Sequence, residues 1–133
     1  MKATQLNLKM KNEIGTLARL CRHLADEGVN LLGLSAPEAD GSPGVIRLLV
    51  ANSEIATRAL ARGDYAFTAE QVIYVELKNR PGALAKTTEK LQRAAINVRY
   101  LYATAYPKAQ KTAAVISVSE ADFERASRLL AGH

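Results

Sequence analysis

The chain has 133 residues, 48% of them apolar and 23% charged, with a formal net charge of +5 at neutral pH. That composition is globular rather than disordered, and no apolar run approaches the roughly 20 residues that would span a bilayer. A lone cysteine, Cys21, excludes a disulfide framework and a cysteine-based metal site.

Met1-Lys2-Ala3-Thr4-Gln5 enters a strand pattern at once, with no signal-peptide core, so the expected compartment is the cytoplasm. The first strand is predicted over 5–10, with Leu6, Leu8 and Met10 facing the core. A loop at 11–15 leads to a helix over 16–27 that Gly28 stops. Leu17, Leu20, Cys21 and Leu24 form its apolar stripe, which makes Cys21 a buried, inert thiol and leaves His23 on the solvated side. His133 is likewise expected at the surface. Strands follow at 29–36 and 45–51, separated by the turn signal Pro37-Glu38-Ala39-Asp40-Gly41-Ser42-Pro43-Gly44.

Asn52-Ser53-Glu54 caps a second helix carrying Ala56, Ala59 and Leu60, and Gly63-Asp64 ends it. A short fourth strand at 65–68 completes a β-α-β-β-α-β unit, the ferredoxin-like order. A second unit starts near residue 71. It has a strand at 72–77, a helix at 83–94 with Leu84, Thr88, Leu91 and Ala95 on one stripe, and strands at 96–104 and 112–118. Ser119-Glu120-Ala121-Asp122 opens a final helix with Phe123, Ala126 and Leu130 inward. The expectation is an α+β protein of two tandem units, 1–70 and 71–133. Each has an antiparallel sheet with helices on one face, and the second lacks its last strand and so leaves an edge open. Val45, Leu49, Val72 and Tyr74 read as outward residues that a second subunit would cover.

The two units repeat. Residues 8–36 align with 75–103 without gaps, at an offset of 67, with nine identities in 29 positions. Among them are Asn12/Asn79, Gly15/Gly82 and Asn30/Asn97, which fall at the loop before the helix and at the start of the following strand. Such a loop can hold a small ligand. The first N–H groups of a helix are unpartnered and carry positive partial charge, glycine allows a close approach, and an asparagine amide both donates and accepts. The same residues also suit a turn with no ligand. On this reading, Asn12 with Asn30, or Asn79 with Asn97, would hold one ligand between them.

No carboxylate pair, Ser/His/Asp set, phosphate loop or metal-ligand spacing can be assembled, so neither catalysis nor a cofactor is expected. Arg and Lys residues interleave with Asp26, Glu27, Glu89 and Glu124 on helix faces, a solvated pattern rather than a nucleic-acid or membrane surface.

Lys78-Asn79-Arg80-Pro81-Gly82-Ala83-Leu84-Ala85 followed by Ala95-Ile96-Asn97-Val98 resembles the motif of ACT domains, regulatory modules that bind amino acids. Lys11-Asn12-Glu13-Ile14-Gly15-Thr16-Leu17-Ala18 with Gly28-Val29-Asn30-Leu31 is similar but lacks the proline. The resemblance implies a tandem ACT pair that binds a free amino acid where units meet, between the loop of one and the second strand of its neighbour. The implied contacts are Asn12, Glu13, Ile14, Gly15, Asn30 and Leu31 in the first copy. In the second they are Asn79, Arg80, Pro81, Gly82, Ala83, Asn97 and Val98. Serine-binding members carry a His two residues before the loop Asn; here Met10 and Leu77 stand there, which favours a more apolar amino acid. The implied partners are a separate metabolic enzyme and further copies of the chain, as a homodimer or larger oligomer.

Two other readings stay open. One is an assembly protein or regulatory subunit with no ligand of its own. The other is a ferredoxin-like RNA binder using Tyr100 and Tyr102, against which stand Gly33 and Ser35 at the matching places of the first unit.

Overall fold

The computed structural model describes residues 1–38 and 43–132, so the turn expected across Ala39, Asp40, Gly41 and Ser42, and His133, lie outside the described residues. The elements run β1 (Lys2–Met10), α1 (Thr16–Asp26), β2 (Leu31–Ser35), β3 (Gly44–Val50), α2 (Ser53–Arg62), β4 (Thr68–Lys78), α3 (Ala83–Arg93), β5 (Val98–Thr104), β6 (Lys111–Val118) and α4 (Glu120–Leu130). They form two units, Thr4–Glu70 and Gln71–His133, the latter including Met1–Ala3.

In the N-terminal unit β3 lies between β2 and β1, antiparallel to both. Side chains alternate across a strand, so Leu6 and Leu8 of β1 share a face with Ile46, Leu48 and Val50 of β3. Leu20 and Leu24 of α1 and Ala56, Ala59 and Leu60 of α2 close over that face. The C-terminal unit repeats the plan, with β6 between β4 and β5. Ile73, Val75, Leu77, Ala114, Ile116 and Val118 form the sheet side of its core; Leu91 of α3 and Phe123, Ala126 and Leu130 of α4 form the other. The expected α+β class, with helices on one sheet face, is what the structure has.

Four expectations need correction. Residues 65–67 form no strand; β4 starts at Thr68 and runs through residues 69–71, which contain no glycine or proline to break it. Tyr65 and Phe67 instead pack against the N-terminal core. The edge of β4 is not bare at Tyr74, whose N–H donates to the Met1 carbonyl at 2.8 Å and whose carbonyl accepts from the Met1 amine at 3.0 Å. Leu49 and Val72 are 2% and 0% exposed, so neither waits for a second subunit to cover it. His23 is not solvated. Its ring lies 5.6 Å from that of Tyr65, and Nε2–H donates to the Ala59 carbonyl at 2.6 Å, tying α1 to α2.

The apolar stripes also sit differently from the expectation. Leu20 and Leu24 are buried in α1, and Thr87 and Leu91 in α3, but Leu17 and Leu84 remain about 40% exposed and Cys21 is half-buried. Helical periodicity fixes the angle around the axis, but not how far the sheet extends beneath the first turn.

Helix ends are set by short-range bonds. Asn52 and Ser119 accept from the backbone N–H three residues on, at 3.1 and 3.2 Å, capping α2 and α4. Glu27, at the end of α1, accepts from Arg62 Nε at 3.1 Å, and this bond holds its carboxyl below the usual range. Three helices end in the same paired bonds. Gly28, Asp64 and Ala95 donate to the carbonyls of Ala25, Ala61 and Gln92, and the residues after them donate to Leu24, Leu60 and Leu91. All three adopt positive φ, of 78°, 59° and 55°.

That geometry suits glycine and strains alanine. Ala95→Gly should therefore stabilise the protein by about 0.5–1 kcal/mol in urea unfolding. Gly28→Ala should cost about 1 kcal/mol for the dihedral alone, because a Cβ there would meet nothing within 4 Å. Equal midpoints for Ala95→Gly and the parent would contradict this account.

Candidate functional site

The motif loops fold alike in both copies. Gly15 has φ 90° and ψ −11°, and Gly82 has φ 89° and ψ −11°. The N–H of Thr16 donates to the Glu13 carbonyl at 3.2 Å, and that of Ala83 to the Arg80 carbonyl at 3.3 Å. Each loop is thus a type II turn, in which the third residue must take positive φ. Arg80-Pro81-Gly82-Ala83 is the standard residue choice, and Ile14 occupies the proline position without changing the turn. Just before each turn a tighter bond recurs, from Glu13 N–H to Lys11 O at 3.1 Å and from Arg80 N–H to Lys78 O at 2.9 Å.

Exposure differs between the copies. Ile14 is fully exposed, and Asn12 and Glu13 are exposed. A Cβ on Gly15 would lie 2.8 Å from Arg19 Nη1, so the guanidinium folds back over that glycine, whereas nothing comes within 4 Å of one on Gly82. The backbone at Gly82 is the open one.

Asn79 is committed to a neighbouring loop. Its Nδ2 donates to the carbonyls of Ala109 at 2.7 Å and Tyr106 at 3.3 Å, and its N–H donates to the Gln110 carbonyl at 2.9 Å. The side chain keeps Oδ1 as an acceptor. Residues 106–110 are thus held against the motif loop by Asn79.

The second asparagines are elsewhere. Asn30 and Asn97 are exposed, immediately before β2 and β5. Asn79 follows the end of β4, and β4 runs parallel to β5 because both are antiparallel to β6. The 11 residues of α3 separate the two, a span of about 16 Å at 1.5 Å per residue. Asn79 and Asn97 of one unit therefore cannot share one small ligand, and the same layout separates Asn12 from Asn30. The within-unit pairing read from the sequence does not form.

Beside each second asparagine the strand bulges. The register slips between Leu31 and Gly33 in β2 and between Val98 and Tyr100 in β5, leaving Leu32 and Arg99 as the extra residues at matching places of the repeat. Bulges re-aim side chains and are common at sites. Gly33 within a strand pattern was the available signal in the first copy. Among the described residues no cluster of three potential metal ligands occurs, and no helix is long and apolar enough to cross a membrane.

Comparison with known proteins agrees with this architecture. A family profile described as an ACT domain pair matches residues 1–128. The Bacteroides thetaiotaomicron protein BT0572 superposes with a TM-score of 0.86 at 29% identity, covering 99% of this chain and 88% of that one. The regulatory subunit of aspartate kinase from Thermus thermophilus gives 0.66 at 15% identity over 98% and 91%. That from Thermus flavus gives 0.61 at 16% over the same shares. No curated protein matches the chain. A profile match across nearly the whole length, on a repeat whose two turns have the same dihedral angles, places this chain in the ACT domain pair family.

Proposed function

We propose that the protein is a non-catalytic regulatory module that binds a free amino acid at its motif loops. It then acts on a partner enzyme or through its own oligomeric state. The observation that carries this is the open type II turn at Gly82. A Cβ on Gly82 would meet nothing within 4 Å, so the backbone at the start of α3 is approachable, and an α-carboxylate suits the unpartnered N–H groups there. Family membership and a fold shared with regulatory subunits of aspartate kinase support the regulatory role.

In this reading Asn79 and Asn97 of one unit serve different ligand positions. A ligand touching both kinds of asparagine needs the second one from outside the unit that supplies the first. Leu17 and Leu84, half-exposed at matching places of α1 and α3, offer apolar surface for such pairing. The effector would bias one assembly over another only by binding the two with different affinity.

The apolar preference suggested by Met10 and Leu77 has no support in the packing. Leu77 is 5% exposed within the core, and Met10 packs against the N-terminal core. A second reading, an assembly protein with no ligand, draws on Asn79, whose amide donors already serve residues 106–110.

Thermal-shift measurement against the proteinogenic amino acids tests the proposal. A ligand at 100 times its Kd adds about 2.7 kcal/mol of apparent stability. One or two related amino acids should raise Tm, and Gly82→Asp should abolish the shift while the protein stays folded, at a cost of about 1 kcal/mol for the dihedral. No shift with any amino acid, or an unaltered one in Gly82→Asp, would remove the site from this loop.

Asn79→Ala separates the two readings. Hydrogen exchange of the amides at 106–110 should accelerate in either case, since two bonds worth about 0.5–1.5 kcal/mol each are lost. Binding should weaken only if Oδ1 also meets the ligand. Unchanged exchange would contradict the loop-holding role.

A further inference from the structure

Read along the chain, the basic residues look dispersed; folded, five of them converge. A cavity of about 400 Å³ in the C-terminal unit is lined by Lys78, Arg80, Lys86, Lys90 and Lys111, with Glu76 the one carboxylate side chain among the described lining residues. Glu76 meets Lys111 at 3.4 Å, and both side chains are largely exposed, so this pair adds little stability.

Two observations distinguish this cavity from an ordinary solvated face. The first is the juxtaposition of like charges. Lys78 and Lys111 sit directly opposite each other on β4 and β6, an arrangement that destabilises a sheet, and Lys86 and Lys90 are one turn apart on α3, which destabilises a helix. The second is the contrast between the copies. At the repeat offset, Arg80 corresponds to Glu13 and Lys90 to His23, whose ring is engaged with Ala59. Lys78 and Lys86 correspond to Lys11 and Arg19, so the first copy keeps the same turn with only part of this charge, and the turn does not require the rest.

We propose that this cavity binds a small, multiply charged anion of the phosphate or pyrophosphate class, and that it does so in the C-terminal copy only. A concave site lined by one sign of charge concentrates counter-ions, and ammonium and guanidinium groups bind phosphate oxygens with strong, charge-assisted hydrogen bonds. The volume falls within the range of small-molecule pockets. The cavity adjoins the proposed amino-acid site and shares Arg80 and Ala83 with the Gly82 turn, but its other cations extend beyond that reading: neither Asn79 nor Asn97 lines it, and every lining residue belongs to one unit.

Calorimetric titration of the full chain with inorganic pyrophosphate, at low salt and with no amino acid present, tests it independently of any amino-acid effector. Saturable binding is expected, weakened about tenfold or more in Lys78→Gln/Lys86→Gln. A control, Arg58→Gln, removes an exposed cation of α2 outside the cavity and should leave affinity within about twofold. Without pyrophosphate the double variant should melt at or above the parent temperature, because like-charge repulsion has been relieved. Arg80→Gln/Lys90→Gln repeats the test at other residues, should the first pair fold poorly. Unchanged affinity in both double variants overturns the proposal. So does equal weakening by Arg58→Gln, which would mean the anion reads net charge rather than this cavity.

Discussion

A backbone dihedral near +90° at one residue decides where the first helix of each unit begins. Gly15 and Gly82 turn the chain from the end of a strand into α1 and α3, and they do so with the same φ and ψ although the residues around them differ. An L side chain at that angle is strained, so glycine is retained while Ile14 and Pro81 alternate freely beside it. The turn is short and closed by its own bonds; in the second copy it leaves the Gly82 backbone open while Ala83, the next residue, packs against the core. The rest of each unit supports that presentation. The sheet anchors the strand end, and the buried stripes of Leu20 and Leu24, or Thr87 and Leu91, fix the helix above it.

Much of this was legible in the sequence because it depends on local rules. Alternation found the strands, with Ile73, Val75 and Leu77 buried as expected, and the caps at Asn52 and Ser119 form as their residue types predict. Gly28 ends α1 as expected, while its counterpart, Ala95, accepts the same positive φ at a cost that composition alone does not reveal. The 67-residue repeat gave both motif loops in one comparison.

What was not legible depends on contacts distant in sequence. The Met1–Tyr74 pair is separated in sequence by the whole N-terminal unit, and nothing in residues 1–5 marks them as neighbours of β4. His23 looked solvated because its partners, Ala59 and Tyr65, lie on other elements. The asparagines looked like one constellation because the motif places both near a helix; only the parallel course of β4 and β5 shows that they lie at opposite ends of it. The convergence of Lys78, Arg80, Lys86, Lys90 and Lys111 has the same origin, since helical periodicity treats each as a solvated residue.

The central claim is that the Gly82 turn is the ligand-facing element of this ACT pair. Its most direct test is an amide chemical-shift map of isotope-labelled protein titrated with a mixture of free amino acids. The account predicts that the largest changes fall on Gly82, Ala83 and Leu84, with a second group at Asn97 and Val98 supplied by another copy. Changes confined to other surfaces, with the Gly82 amide unmoved at saturation, would contradict it.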